Sequence, residues 1–580
     1  MDRTCRHCQS AFEITQDDLV FYDKVSPVIG SIKCALPLPT LCPSCRYQER
    51  LTWRNERNLY KRTCSATSKT IVSIWSPEKT QPPVYEQSYW WSDAWDARDY
   101  GREVDFSRPF FEQWAELFFN VPQIAMNNQM SENCEFTNQS QRNKDSYMLF
   151  CSNDTRDSLH GMWLQKCLDC VDCTYLEESE LCYEMLNGKS CYRCTFCRNL
   201  ENCSEVHFSK NCIGCKNCFG CVNLRSKEYC FFNEQCSKED YERRVAELQI
   251  DRASGIATAR IKAEDFFRQF PSKCYTGANC ENSSGDYLMN AKNVHDCFNC
   301  CDNENMAHCQ DVWRARNCQD LTETAENDFC YSVEGSAISM NTLFSKKFCD
   351  LSNSIYCSHC NFSKNLFGCV CLNHGQYCIL NKQYTKDEYE ALVPKIIEHM
   401  RKTPLRASDG SSQLRQGYAG QAAGQEWGEH FPSSFSPFSY NESVAQEYFP
   451  LSEEQALAQG HKWRRTQDDV SVVSKATDAN QLPDAASDIP DDVVDWAIRC
   501  EATGRRFRII KQELNFYRQM KLPLPHLHAD ERYCRRMALR NPRKLWERAC
   551  SKCGQAMKTT YAPDRPETVY CEECYLASVY

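Results

Sequence analysis

The segment NCIGCKNCFGCVNLRSKEYCFFNEQC, residues 211–236, carries cysteines at steps of 3, 3, 3, 9 and 6. The rule extends back to Cys167: positions 167, 170, 173, 182, 191, 194, 197, 203, 212, 215, 218, 221, 230 and 236 all share one residue class modulo three. Neither the 3.6-residue repeat of a helix nor the alternation of a strand produces steps of three. A longer cycle overlays the short one, because runs restart at Cys167, Cys191 and Cys212, 24 and 21 residues apart. Cys297, Cys318 and Cys360 follow at 21 and twice 21. A repeat of about 20 residues predicts a stacked solenoid coil. Its inward positions flank the corners and stack in ladders, which suit a small, apolar, readily buried cysteine. The pairs Asn202-Cys203, Asn211-Cys212 and Asn217-Cys218 place an amide where it can bond turn backbone.

The middle of the chain is duplicated. Residues 211–242 align with 359–390 at an offset of 148, with 15 of 32 positions identical. Each copy ends on a Ser or Thr three residues before an acid, Ser237 to Asp240 and Thr385 to Glu388, the pattern that opens a helix. Two solenoid lobes result, 131–235 and 274–384, closed by helices in 236–273 and 385–402. The rival reading is an iron–sulfur ligand run at Cys212, Cys215, Cys218 and Cys221, and it lacks the x3 step and Pro of the bacterial pattern. Its second-lobe counterpart reads Cys360, Ser363, Leu366 and Cys369. A buried ladder tolerates Leu there and a cluster does not.

The chain of 580 residues holds 42 cysteines, with 42% hydrophobic and 25% charged residues, a composition that excludes wholesale disorder. No run approaches the roughly 18 apolar residues of a membrane span, and MDRTCRHCQS has no export signal. A cytoplasmic protein without membrane association is expected, its cysteines serving as metal ligands and buried thiols.

Six cysteines precede residue 65 and six follow residue 499. Cys5-x2-Cys8-x33-Cys42-x2-Cys45 and Cys550-x2-Cys553-x17-Cys571-x2-Cys574 each pair two knuckles into a tetrahedral shell of four sulfurs. Such a shell suits Zn²⁺ and leaves no position open for catalysis, although rubredoxin-like iron uses the same ligands. The two ends are also copies of one another: residues 36–64 align without gaps to 522–550, with 14 of 29 identical. Each module is therefore a tandem of two sites with complementary losses. In the N-terminal copy the second site reads Cys64, Thr67, Glu86 and Tyr89; in the C-terminal copy the first reads Cys500, Thr503, His528 and Glu531. Two zinc ions per chain are expected, with Cys500, His528 and Glu531 a weaker candidate for a third.

The ends are basic, net +3 over 1–64 and +8 over 496–580, which leaves −21 for the rest of the chain. Arg532, Arg535, Arg536, Arg540, Arg543, Lys544 and Arg548 form a basic run, with Tyr533 and Trp546 as stacking surfaces. Two readings stand side by side: phosphate contact, with RNA or a ribonucleoprotein as partner, or docking of the run on the acidic body. Pro542 argues against one continuous helix through it. The connectors are an aromatic helix at Phe110–Phe119, expected to seat the N-terminal module on the first lobe, flexible residues 403–425, a docking segment at 436–463 and a linker at 466–492.

The motifs Cys5 to Arg46 resemble a probable zinc-ribbon domain of bacterial proteins. The wider plan resembles a cysteine-rich family of candidate-phylum bacteria with reduced genomes. It shares NER-x-LY (Asn55–Tyr60), WWSD (Trp90–Asp93), FGCVNL (Phe219–Leu224) and YNESVAQEYFPL (Tyr440–Leu451). The resemblance implies zinc and ribbon modules and carries no assigned activity. Members keep the second N-terminal quartet, which Thr67, Glu86 and Tyr89 replace here.

The expected architecture is multidomain and mainly β, with two terminal zinc-ribbon modules flanking a duplicated Cys-ladder β-solenoid with capping helices. In order, it comprises an N-terminal module at 1–95, an aromatic connector at 96–130, the two lobes with their helices, a linker at 403–490 and a C-terminal module at 491–580. The expected role is a zinc-binding scaffold or adaptor, not an enzyme, with a macromolecular partner and no small-molecule substrate. The alternative is a thiol-redox or iron–sulfur protein working through the middle.

Overall fold

The computed structural model describes residues 1–78, 81–316, 322–328, 334–404, 425–465 and 475–579. Its body is a β-solenoid in two lobes, and the coil is shorter than expected. Met162 pairs with Thr174, Thr174 with Leu186 and Leu186 with Arg198, all parallel and 12 residues apart. The second lobe repeats this at Gly285↔Cys297 and Thr322↔Glu334. The step of three is right and the coil of about 20 is wrong: a coil is four triplets. Twenty-four residues are two coils, and 21 joins cysteines from different inward columns. Cys318 lies outside the described residues.

The backbone explains the step. Every third residue from Met130 to Phe232 is left-handed, with φ between 47° and 65°. Away from glycine this costs roughly 1–2 kcal/mol per residue, and Asn and Asp bear it best. That is the role of Asn202, Asn211 and Asn217, each left-handed and each before a cysteine. Asparagines of one left-handed column form a ladder that includes Asn211: Asn187 donates to Asn199 at 3.2 Å, Asn199 to Asn211 at 2.9 Å and Asn211 to Asn223 at 3.3 Å.

Hydrogen bonds repeat by triplet. Leu168 N–H donates forward to Ser179 O at 3.0 Å, and Asp169 N–H donates back to Arg156 O at 3.2 Å. The third N–H faces the axis and finds a side chain of the preceding coil. Cys170 N–H donates to Ser158 Oγ at 3.0 Å, and Ser209 N–H to Cys197 Sγ at 3.2 Å. The same group donates as well, Cys197 Sγ to Thr195 O at 3.1 Å. Cysteine and serine alternate in these columns because each both accepts and donates. Cys170, Cys173, Cys194, Cys212, Cys215, Cys218 and Cys221 are fully buried, as are Cys357, Cys360 and Leu366 in the second lobe.

The lobes lie side by side and antiparallel. Contacts run from Gln123 with Cys371, through Tyr175 with Asn299 and Asn187 with Tyr287, to Asn223 with Pro271. Helices Lys238–Glu247 and Ala253–Phe267 close the first lobe, and Lys386–Lys402 closes the second. Ser237 and Thr385 accept the N–H groups of Asp240 and Glu388, as read from the sequence.

The aromatic helix Phe110–Asn120 packs on the second lobe, not the first. Phe110 meets Phe367 and Phe111 meets Tyr356, both at 5.2 Å between centroids. The buried ammonium of Lys346 sits among Trp53, Trp114, Phe118 and Phe431, which draws the N-terminal module to that lobe. In the segment 436–463, Tyr448 and Phe449 dock against Tyr47. Residues 405–424 and 466–474 lie outside the described residues. Beyond them Lys475–Asp478 is a strand paired with Trp496–Arg499, so 475–478 is not linker.

The column chemistry predicts an order of tolerance at Cys197. Cys197→Ser keeps an acceptor for Ser209 N–H, whereas Cys197→Val keeps the volume and orphans it. Denaturant unfolding should show Val losing about 1–3 kcal/mol and Ser losing less; the reverse order would refute the account.

Candidate metal centres

Among the described residues, the groups of three or more His, Cys, Asp or Glu with ligand atoms mutually within 4.8 Å are Cys5, Cys8, Cys42 and Cys45, and Cys550, Cys553, Cys571 and Cys574. Cys8 and Cys42 stand 3.7 Å apart at sulfur, and Cys553 and Cys571 3.8 Å. Ligands about 2.3 Å from a tetrahedral ion have sulfur–sulfur edges of roughly 3.8 Å, so the residues fit such an ion.

One backbone device builds both sites and both relics. In the first knuckle of each, the N–H of Cys5, Cys64, Cys500 and Cys550 donates to a carbonyl five residues on, at 2.8–2.9 Å. The residue four beyond is left-handed in every case: Gln9 at 62°, Ser68 at 59°, Gly504 at 72° and Gly554 at 77°. The sulfur then accepts the N–H of the third ligand position. Cys42 N–H donates to Cys5 Sγ, Glu86 N–H to Cys64 Sγ and Cys571 N–H to Cys550 Sγ, each at 3.3 Å. Burial pushes the Cys550 thiol up, but backbone N–H groups including those of Cys553 and Cys571 outweigh it and bring it down to about 6.

The relics keep this backbone and have other side-chain roles. Glu86 pairs with Lys69 at 3.1 Å. His528 Nδ1 accepts Asp530 N–H at 3.1 Å, capping its helix, and Glu531 pairs with Arg535 at 2.9 Å. Cys500, His528 and Glu531 therefore do not assemble a third site. In the lobe, the thiols of Cys212, Cys215, Cys218 and Cys221 each donate to the carbonyl two residues before.

The basic run is largely internal. Its helix, Ala529–Met537, ends well before Pro542. Arg532 and Arg536 are buried and bind the two oxygens of Asp172, a fully buried residue of the first lobe, at 2.5 and 3.0 Å. Arg532 also meets Glu513 at 3.3 Å. Arg543 grips Asp311 of the second lobe with both nitrogens, at 2.8 and 2.6 Å. Arg540 lies over the rings of Tyr175 and Tyr287, one from each lobe, at 4.2 and 3.9 Å. Arg548 donates to Ala562 O and Glu567 O. Arg535 and Lys544 are exposed. Tyr533 is buried beneath the Arg57 guanidinium at 3.9 Å. Docking on the acidic body thus accounts for Arg532, Arg536, Arg540 and Arg543, which are not available to phosphates. The acids that receive them, Asp172 and Asp311, were not singled out by sequence; both occupy left-handed positions, with φ of 55°.

No protein-family model matches this chain, and no curated protein matches it. No described helix is long and apolar enough to cross a membrane.

Two expectations follow. Asp172→Ala leaves two buried guanidinium groups without their carboxylate and should lower stability by about 3–5 kcal/mol in denaturant unfolding. Burial raises the Glu513 carboxyl, but His160 and Arg532 overcome it and bring it from 4.5 to about 2. The ionised form is the bonded one, so its contribution is complete above about pH 4.5 and is lost as pH falls toward 2. Unfolding measured across that window should show a flatter acid limb in Glu513→Gln than in the parent.

Proposed function

We propose that the protein is a zinc-stabilised, non-catalytic scaffold that presents one joined platform to a macromolecular partner. The observation that supports this reading is where the two cysteine quartets sit: both are built into joints, the first between the N-terminal module and the segment 425–465, the second between the C-terminal module and the start of the second lobe. Arg6, between Cys5 and Cys8, pairs with Glu429, which also accepts from Thr40 just before Cys42. Glu572, between Cys571 and Cys574, binds Lys273 and Tyr275 at the start of the second lobe, both at 2.7 Å.

Four thiolates around one ion complete a tetrahedral shell with no exchangeable water, and the ion's contribution is folding energy. An RNA partner loses most of its basis with the arginine run; it would engage the exposed Arg535, Lys544, Lys552 and Lys558. RNA binding by the full chain across a salt series tests that partner, and absence of a salt-weakened affinity rejects it.

Elemental analysis of purified protein should find two zinc ions per chain, falling to one in Cys8→Ser and to one in Cys553→Ser. Iron in their place, or metal content unmoved by either substitution, would refute the assignment.

A further inference from the structure

The two end modules close the starting edges of the two lobes in the same way, one without a complete ligand set and one with it. At the first lobe, Val84–Tyr85 pairs in parallel with Gln123–Ile124. Gln123 N–H donates to Pro83 O at 2.9 Å and Ala125 N–H to Tyr85 O at 3.0 Å. At the second lobe, Val569–Tyr570 pairs in parallel with Ser272–Lys273. Ser272 N–H donates to Thr568 O at 2.8 Å and Cys274 N–H to Tyr570 O at 2.9 Å. The supporting bonds also correspond: Ser73 Oγ donates to Ala125 O, and Thr559 Oγ1 to Cys274 O.

The seals differ in what holds the sealing strand. On the first lobe, Gln87 exchanges hydrogen bonds with the backbone of Asn128 at 2.7 and 3.0 Å, next to a knuckle that retains Cys64 alone of its four ligand positions. On the second lobe, the corresponding residue is Glu572, inside the last knuckle of an intact quartet. It holds Lys273, whose ammonium also donates to Gly277 O at 2.9 Å.

Gly277 opens a coil shorter than its neighbours. Gly277 pairs with Leu288, 11 residues on rather than 12. Gly277 and Gly285 have φ of 157° and 148°, and a Cβ on either would lie about 2 Å from a carbonyl oxygen of the next coil. Hydrogen bonds join this coil to the next, with Leu288 N–H donating to Thr276 O and Asn290 N–H to Ala278 O, both at 3.1 Å, but no coil precedes it, and an unsealed strand edge is open to pairing.

We infer that the C-terminal metal centre is a latch on the second lobe: its ion holds the Val569–Glu572 strand and knuckle against Ser272–Gly277, and loss of the ion opens the first coil of that lobe while the first lobe stays sealed. This rests on the reading that Cys550, Cys553, Cys571 and Cys574 hold a metal. Hydrogen exchange of the full chain, read by mass spectrometry with metal content measured on the same sample, tests it in the parent and in Cys553→Ser and Cys574→Ser.

With the C-terminal ion gone, exchange over 272–278 and 569–571 should quicken by roughly tenfold or more, with 123–128 unchanged; Cys8→Ser should leave 272–278 protected. If the parent carries no ion at the C-terminal quartet, the metal reading itself fails and the latch with it. If the ion is lost and 272–278 remains protected, the latch is refuted while the metal site stands. Equal loss of protection at 123–128 also refutes it, by making the ion a support of the whole fold.

Discussion

One backbone N–H in each triplet of the solenoid points along no strand edge and toward no solvent. A coil of four triplets needs a left-handed residue at each corner, and the residue after it turns its side chain and its amide hydrogen inward. A buried, unsatisfied N–H costs about 1–3 kcal/mol, a penalty that repeats with every triplet. The inward side chain must therefore be small enough for a narrow core, able to accept from the coil above and able to return a hydrogen to a nearby carbonyl. Ser158 and Ser179 do this with oxygen, and Cys197 and Cys221 with sulfur. Leucines such as Leu164 and Leu176 supply apolar volume in a column they share with Ser140 and Ser152, where Leu164 N–H still finds Ser152 Oγ at 3.0 Å. Cysteine suits the trunk because it is both hydrophobic and a hydrogen-bonding partner.

A coil stack has two open ends, and two lobes have four. The antiparallel arrangement lets each end module serve both lobes. The N-terminal module seals the start of the first lobe through Val84–Tyr85, and it meets the second lobe's capping helix where Arg401 donates to Ala35 O. The C-terminal module seals the start of the second lobe through Val569–Tyr570. It packs along the first lobe through Tyr183 and Tyr517, and the adjoining Asp484 accepts from Ala253 in that lobe's second capping helix. Arginines of the C-terminal module mark the same logic, since Arg532 and Arg536 pair with Asp172 of the first lobe and Arg543 with Asp311 of the second.

The residue class modulo three, the inward thiols, the lobe duplication, the capping residues and the gathering of both cysteine quartets were legible because each rests on local spacing. The coil length was not, for a physical reason. Cysteine fills the inward columns only in part, with Ser179, Met185, Val206 and Ser209 completing them. The 12-residue period shows only when Cys, Ser, Val and Leu are read as one inward class, as Leu164, Leu176, Leu200 and Leu224 then display. The placement of the aromatic helix was equally hidden, since apolar spacing shows that Phe110 and Phe111 are buried but not that they meet Phe367 and Tyr356, and Lys346 is a charged residue that no apolar pattern selects. The arginine run shows the converse limit. Its composition suits phosphate and carboxylate alike, and only the position of Asp172 and Asp311 on facing lobes decides between them.

The same sulfur chemistry unites the trunk and the ends. In the coils, Ser209 N–H reaches Cys197 Sγ at 3.2 Å; in the knuckles, Cys571 N–H reaches Cys550 Sγ at 3.3 Å. What separates ligand from filler is where the remaining valence of sulfur is directed. A coil thiol sends its hydrogen back to its own strand two residues earlier, so neighbouring sulfurs stay committed to separate carbonyls. A knuckle turns through a left-handed residue and aims two sulfurs away from their own backbone toward a common point. Deleting three of four ligands, as at Cys64, leaves a knuckle whose sulfur still accepts Glu86 N–H at 3.3 Å and whose strand still seals a lobe. The backbone geometry of the seal thus survives loss of the ligand set, which is why complementary sites could decay at the two ends of one duplicated module without loss of the fold.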